Sequence, residues 1–539
     1  MGMKQDEDFE GDRRIDFETD DEENQAERDC EDGDDTDSDR TVPSRDASNS
    51  CIDLNNVSWP QSYRQSMDML TSVTPPSVSF LTGTRISGGS FLTSAYKRPQ
   101  ASMPDSSLDK PLISAVSLDK EEVPTSTLPV KLSATSYSGL SLDELPPLHQ
   151  CSYAQSLLNA INVLCGIGVL STPYALKGGW CSLLLLVIMC IISCYTGILL
   201  KRCLESSAGL KTYPDIGQAA FGASGRVCVA IVLYVELYFS CVEFLIMMSD
   251  NLSTLFPNVQ MDIAGIHLDS HQTFAITSTL LILPTVWLRN LTLLSYISVG
   301  GVVTTMLGAL CLLWVGVVDK VGFHPSGTAL DLAHLPVTIG LFGYCYGGHS
   351  VFPNIYSSMK EPSQYSSVLI TSFVTSLFLY TGVAVCGFLM FGDSTKSQFT
   401  LNMPKKFVAS KIAAWATVVT PISKYALTIT PIAFSIEELL PSAQLRSHSV
   451  SIIIRTVLVI STLVVALAVP YFEYVVALTG SALVMVVALI IPTACYLSIL
   501  HGRLTKLQIS ACIFVIIVGV FCSIVGTYSA IISIADKMA

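Results

Sequence analysis

The chain has 539 residues and a mean hydropathy of +0.51, with half of its residues apolar and 14% charged. This composition is too apolar for a soluble protein of several domains and is typical of a membrane protein. The net charge of −13 arises in the first 40 residues, which hold 19 Asp or Glu and five Lys or Arg. The rest of the chain is close to neutral, so the overall charge says nothing about what the membrane part binds.

Residues 1–150 are acidic at first and then rich in Ser, Thr and Pro, with apolar residues at no sustained period. Such a segment buries too little apolar surface to offset the entropy of ordering. We predict a disordered acidic cytosolic N-terminal tail over 1–150. It is either a solvated appendage or a regulatory arm for kinases or other cytosolic partners, as its many Ser and Thr would allow.

From Tyr153 onward the sequence consists of apolar stretches of about 20 residues, the length that crosses about 30 Å of hydrocarbon as a helix. The connecting loops are short, which leaves any chemistry inside the helical bundle or at its mouths. Eleven membrane-spanning helices are predicted, approximately over 153–177, 181–203, 226–249, 272–289, 293–317, 334–357, 366–391, 408–431, 450–469, 474–498 and 508–534.

An odd number of spans places the two termini on opposite sides of the membrane. Loops on the N-terminal side carry ten Lys or Arg, against seven on the other side. Because basic loops favour the cytosol, we expect a cytosolic N-terminus. The eleven helices are expected to form one membrane domain over 151–535. The 16 cysteines fall largely within apolar runs without ligand spacing, and we read them as packing residues; no metal site and no cofactor are expected.

The first predicted helix contains Gly166, Gly168 and Pro173 within eight residues at mid-membrane depth. Glycine weakens a helix, and proline removes a backbone donor, so this helix is predicted to be interrupted. In hydrocarbon the freed backbone groups need partners, and a bound ligand can be one. The alternative is that these glycines only allow another helix to pack closely.

The sixth predicted helix carries a second interruption, from Gly340 through Gly347-Gly348 to Pro353. Two breaks five helices apart are what an inverted repeat of five plus five helices predicts, with helix eleven as an accessory. Half-helix ends then meet at the midplane, where amides can hold a carboxylate and carbonyls can hold an ammonium group or a cation. A zwitterionic amino acid satisfies both.

The motifs NVLCGIGVLSTPYALKGGW (162–180) and YGGHSVFPNIYSSM (346–359) resemble the amino acid/auxin permease family of the amino acid–polyamine–cation superfamily. The plant group of vacuolar and vesicular neutral amino acid transporters is similar over 150–535 and also has a long acidic tail. The resemblance implies an all-α, LeuT-like fold and proton-linked movement of amino acids across an internal membrane.

The candidate substrate-binding residues flank the two breaks, because only backbone uncovered by a break is free to bind. We expect the helix-one residues to bind the carboxylate of the substrate and the helix-six residues to supply carbonyls and the pocket wall. They are Asn162, Cys165, Gly166, Ile167, Gly168, Val169, Tyr344, Gly347 and Gly348.

Ionisable residues within the bilayer are costly and therefore functional suspects. Glu236 and Glu243 lie on one face of helix three and suit proton coupling, or else are hydrogen-bonded packing residues. Lys424 of helix eight could stand where sodium binds in sodium-coupled relatives of this fold, or could pair with a helix-three glutamate. His349 could relay protons or merely steady the helix-six loop.

The leading hypothesis is a secondary active transporter of neutral amino acids that exchanges them with protons across the vacuolar or another internal membrane. The alternative is an amino acid sensor that uses the same site and signals through the tail. An ion channel is disfavoured because no filter repeat or gating-charge helix is present. No nucleophile, metal cluster or phosphate loop suggests an enzyme, and no nucleic acid partner is expected.

Overall fold

A computed structural model of the protein describes residues 59–60, 62–63, 66–67, 151–207, 209–263, 265–288, 292–440 and 447–539. Among these residues nearly all regular structure is helical, with one short hairpin of β1 (Met261–Ile263) and β2 (Ile266–Leu268). The helices are α1 (Tyr153–Leu164), α2 (Gly168–Ala175), α3 (Ser182–Leu204), α4 (Tyr213–Leu255), α5 (Ser270–Trp287), α6 (Thr292–Val317), α7 (Leu335–Cys345), α8 (Phe352–Ser358), α9 (Tyr365–Phe391), α10 (Val408–Glu438), α11 (His448–Ala468), α12 (Phe472–Thr479), α13 (Ile491–Ile499) and α14 (Lys506–Met538).

Each of the eleven predicted intervals contains a helix or a pair of half-helices. In the described part of the chain, seven helices are long and apolar enough to cross a membrane, and α1 with the segment from Gly168 to Gly178 makes an eighth if counted as one bent span. The prediction of a polytopic all-α membrane protein is confirmed. The count of eleven spans stays a prediction.

The predicted interruption of helix one lies between α1 and α2, which are bent by 50° relative to each other. Helix six is likewise divided, because α7 ends at Cys345 and α8 begins only at Phe352. The two breaks meet at Gly168, where an added Cβ would lie 3.1 Å from the Cys345 Sγ and 3.3 Å from its Cα. Both predicted breaks are therefore confirmed, and a glycine allows their close approach.

The first half of helix six, α7, also crosses α12, the start of the tenth predicted helix, at very short range. A Cβ on Gly340 would lie 2.3 Å from the Ala477 carbonyl oxygen, and one on Gly480 would lie 2.0 Å from the Gly340 carbonyl oxygen. Beyond this crossing the chain is π-helical over Gly480–Val484 and Val486–Ile490. This irregularity, which the sequence did not predict, is typical of helices at functional sites.

Helix α4 begins well before the predicted start of helix three. Thr212 caps its first turn, and Gly222, with φ of 73°, separates that part from the apolar remainder. Glu236 and Glu243 follow two turns apart and are 9% and 0% exposed. They therefore face the interior of the bundle.

The predicted disordered tail lies outside the described residues except for six: Trp59, Pro60, Ser62, Tyr63, Ser66 and Met67. Four of these six, Pro60, Tyr63, Ser66 and Met67, are buried, and the disordered tail stays a prediction for the rest. Tyr63 and Met67 are 1% and 0% exposed and belong to the main hydrophobic core. Apolar side chains at this position can be buried because the bundle supplies the surface that the tail itself lacks.

Candidate functional site

A cavity of about 190 Å³ lies at the two helix breaks. Its walls come from the helix-one break, α4, α6, the helix-six break and α10. Nine of the thirteen predicted site residues line it: Asn162, Gly166, Ile167, Gly168, Val169, Tyr344, Gly347, Glu236 and Lys424. The structure thus brings together residues that are widely separated in the sequence.

The helix-one side of the cavity presents the first turn of α2. A helix begins with amides that have no partner one turn earlier, and its N-terminus carries a partial positive charge. Leu170 donates its amide to the Ile167 carbonyl at 3.0 Å, whereas Gly168 and Val169 line the cavity directly. This end of α2 is suited to hold an anion such as a carboxylate.

Tyr380 of α9 bridges the two helix breaks. Its hydroxyl lies within hydrogen-bonding distance of the Leu164 carbonyl and, at 2.8 Å, of the Cys345 carbonyl, and its side chain is fully buried. The Thr305 hydroxyl of α6 donates to the Gly301 carbonyl one turn earlier at 2.9 Å and also lies 3.3 Å from the next carbonyl of the break, that of Cys165. Side chains of neighbouring helices thus lie against the backbone acceptors that the breaks expose, as the hydrocarbon environment requires.

The buried carboxyl of Glu243 contacts the helix-six break. The Tyr344 hydroxyl donates to Glu243 Oε2 at 2.6 Å, and the Thr479 side chain is a second hydrogen-bonding neighbour of this carboxyl. Glu236 lines the cavity itself, and its Oε2 lacks a partner among the described groups. Buried carboxyl groups are costly in hydrocarbon when ionised, which makes both glutamates functional candidates.

Lys424 of α10 extends toward helix one past Gly301 of α6. The Cβ that Gly301 lacks would lie 2.7 Å from Lys424 Cε, 3.1 Å from Lys424 Nζ and 3.0 Å from the Asn162 amide oxygen. That oxygen is buried and has no hydrogen-bond partner among the described groups. Lys424 forms no ion pair with either described glutamate of α4, so the geometry favours a role beside the helix-one break.

Four predicted residues do not line the cavity. Cys165 directs its Sγ toward the Ser376 hydroxyl at 3.4 Å, and a Cβ on Gly348 would lie 3.0 Å from the Phe352 ring. His349 is fully buried, with Nε2 3.0 Å from both the Thr196 hydroxyl and the Ser193 carbonyl of α3. These contacts fit a packing role for His349. Glu243 is the fourth and contacts the cavity wall through Tyr344.

Polar side chains of α6 and α10 also line the cavity. The Thr304 and Thr420 hydroxyls are 2.7 Å apart and bring the two helices together, and Thr417 and Thr428 lie on the same side of α10 as Lys424. Neither these threonines nor Tyr380 is in the predicted site. The spacing of Thr417, Thr420, Lys424 and Thr428 along one helix face is a signal that could have indicated the threonines.

Residues 149–532 match the family of transmembrane amino acid transporter proteins. The chain belongs to this family. It is 57% identical to amino acid transporter AVT1D of Arabidopsis thaliana over 93% of this chain and 92% of that one. It is 52% identical to amino acid transporter AVT1E of the same plant, over 99% of this chain and 100% of the relative. The resemblance that the two motifs indicate is thereby confirmed.

The structure also resembles solved transporters at low similarity. The inward-facing conformation of Mhp1 superimposes with a TM-score of 0.45 at 9% identity, over 74% of this chain and 94% of that one. MhsT in complex with L-phenylalanine gives a TM-score of 0.41 at 11% identity, over 70% of this chain and 98% of that one. Assignment to the transmembrane amino acid transporter family rests on the sequence matches.

Tyr380→Phe should lower the apparent melting temperature of the purified protein in detergent, because a hydroxyl that serves two buried carbonyls is lost. We expect a cost of about 1–3 kcal/mol, the penalty for leaving a buried acceptor unsatisfied. Tyr365→Phe is the control, since this buried tyrosine of the same helix packs edge-on against the Tyr356 ring at 5.3 Å. Equal melting temperatures for the two variants would contradict the role of Tyr380.

Proposed function

We propose that the chain is a secondary active transporter of neutral amino acids that is coupled to protons, through exchange with them. The relatives that it matches are named amino acid transporters, and the chain covers almost their full length. The single observation that carries the proposal further is the meeting of two broken helices at a cavity with buried carboxyl groups. An inverted repeat of five plus five helices accounts for both breaks.

The amino acid backbone would bind where the two breaks meet. Its carboxylate would accept hydrogen bonds from the first-turn amides of α2, at Gly168 and Val169. Its ammonium group would face helix six, where Tyr344 and Gly347 line the same cavity. Opposite partial charges at the ends of half-helices thus match the two charges of a zwitterion.

The remaining walls favour an uncharged substrate side chain. They include Leu237, Phe244 and Met247 of α4 together with Val351 and Val484. A substrate side chain that carried a further charge would lose its hydration against these apolar groups. The proposal of neutral amino acids therefore rests on the apolar character of the cavity wall.

Proton coupling would run through Glu243 and Tyr344. The 2.6 Å bond connects a protonatable group of α4 with the helix-six break, so a change in the charge of the carboxyl alters the bond that holds a cavity residue. Glu236, on the same face, would share the proton. Lys424 would supply a fixed positive charge beside helix one, the place that a coupling cation would otherwise take.

The vacuolar membrane, with the N-terminus in the cytosol, is proposed as the site of action. This location rests on the likeness of the two motifs to vacuolar and vesicular transporters and on the excess of basic residues in loops on the N-terminal side. An acidic compartment would provide the proton gradient that exchange requires.

Purified protein in proteoliposomes should take up neutral amino acids when a pH gradient is imposed, and a panel of substrates would identify them. Gly168→Leu should abolish this uptake but not membrane insertion, because the new side chain would collide with Cys345 and Tyr344 at the meeting of the breaks. Gly382→Leu on α9 is the control, since nothing lies within 4 Å of an added Cβ there. Gradient-independent flux in the parent protein would refute proton coupling.

Glu243→Gln should retain an acceptor for the Tyr344 hydroxyl but remove the titratable group. We expect amino acid exchange to persist while net uptake no longer responds to the sign of the pH gradient. Tyr344→Phe is the companion variant, because it cuts the bond and leaves the carboxyl titratable. Gradient-driven uptake at the parent rate by Glu243→Gln would exclude Glu243 as the coupling group.

Lys424→Ala should reduce proton-dependent transport about tenfold or more. Removing a buried charge from the site is expected to cost at least about 1.4 kcal/mol, the free energy that corresponds to a tenfold change. Lys411→Ala is the control, as this lysine lies on the same helix and is exposed. Transport should be followed as initial uptake at matched pH gradients. Proton-dependent exchange at the parent level in Lys424→Ala would eliminate the proposed role.

A further inference from the structure

Six residues of the tail pack on the bundle near the cavity. We call Trp59, Pro60, Ser62, Tyr63, Ser66 and Met67 the docked segment. Their partners form the docking surface, which consists of Arg226 and Tyr234 of α4, Ser350 of the helix-six break, and Ser435 and Glu438 of α10.

Hydrogen bonds hold the docked segment to α4 and α10. The Trp59 indole donates to the Ser435 carbonyl at 3.1 Å, and Arg226 donates through Nη2 to the Pro60 carbonyl at 3.0 Å. Ser62 donates twice to Glu438 Oε2, from its amide at 3.0 Å and from its hydroxyl at 2.8 Å. Hydrogen bonds to charged groups such as these are the stronger ones.

A further bond connects the docked segment to helix six. The Tyr63 hydroxyl donates to the Ser350 carbonyl at 3.0 Å, and Ser350 lines the cavity. The Tyr63 ring is 1% exposed and lies 6.0 Å, edge-on, from the Tyr234 ring. Tyr63 is thus the residue of the docked segment that contacts the cavity wall, through the Ser350 carbonyl.

The docking surface belongs to the same face as the N-terminal end of the bundle. On that face the Cys151 amide before α1 donates to the Ser358 carbonyl at the end of α8, and Ser357 donates to the Lys211 carbonyl before α4. Glu438 is the last residue of α10, which packs along α4. The docked segment therefore contacts the end of α10, the N-terminal part of α4 and, through Tyr63, the Ser350 carbonyl of the cavity wall.

We propose that the docking surface is a binding site for the docked segment of the chain's own tail, and that this segment must leave it before the cavity can open toward the N-terminal side. Alternating access requires one group of helices to move against another around a fixed site. The docked segment joins α4 and α10 to the helix-six break and so opposes their separation. This inference rests on the proposed transport function.

Release of the docked segment should accelerate transport by full-length protein. Tyr63→Ala removes the contact with Ser350, and Ser62→Asp places a carboxylate against Glu438, so both variants should raise initial uptake about fivefold or more as the open population grows. Ser66→Ala is the matched control, because the Ser66 hydroxyl bonds within the segment, to the Ser62 and Tyr63 carbonyls. Parent or lower rates in both release variants would overturn the proposal.

A reversible crosslink tests docking separately from transport. In the full-length Ser62→Cys/Glu438→Cys variant, a short bifunctional methanethiosulfonate should join the two positions, as mass spectrometry of the digest would show. Transport should then fall to background and return after reduction. Each single-cysteine variant, treated in the same way, controls for reaction at the native cysteines.

The outcomes of the crosslink experiment separate the two proposals. Absence of the crosslink in folded protein would overturn docking, and unchanged uptake by crosslinked protein would overturn the requirement for release. If the crosslink forms but no variant transports any amino acid, the proposed transport function fails, while binding of the docked segment is upheld.

Discussion

The structure depends on one constraint, which is that backbone groups released by a broken helix in hydrocarbon must find partners. The carbonyls of Leu164, Cys165 and Cys345 lie within hydrogen-bonding distance of the Tyr380 or Thr305 hydroxyl, and the Leu164 carbonyl also accepts from the Gly166 amide. The acceptors exposed at the breaks thus have neighbours within the protein, whereas Gly168 and Val169 of the first turn of α2 line the cavity. At the breaks, backbone donors are therefore freer than backbone acceptors to bind a ligand, so the site suits an anionic group better than a cation. The substrate carboxylate would be the group that binds these donors.

The sequence predicts the breaks well because their causes are local. Gly166, Gly168 and Pro173 disfavour a continuous helix whatever surrounds them, and each predicted span contains helix in the structure. Tyr380 could not be predicted in the same way. It lies in an ordinary apolar run, and its function depends on three helices that meet only in the folded protein. For the same reason the sequence does not reveal that the Gly168 Cβ position faces Cys345.

The tail shows the opposite limit of sequence reasoning. Its composition argues against an independent core, and the docked segment agrees with this argument, because Tyr63 and Met67 are buried against surface supplied by helices of the bundle. Composition describes what a segment can bury by itself, not what a neighbouring bundle offers to it. Two aromatic residues within five positions, Trp59 and Tyr63, are a local sign of docking that composition averaged over the tail does not show.

In the proposed mechanism, charge balance at the cavity accounts for one bound proton but does not by itself link that proton to the substrate. Glu236, Glu243 and Lys424 together leave one uncompensated negative charge when all are ionised, and such a charge is costly away from water. One bound proton removes it. A zwitterionic amino acid adds no net charge, so it cannot exchange with the proton through charge alone. We infer that the proposed exchange would act instead through Tyr344, whose hydroxyl bonds Glu243 and whose side chain lines the cavity. A substrate that displaced this side chain would weaken its bond to the carboxylate.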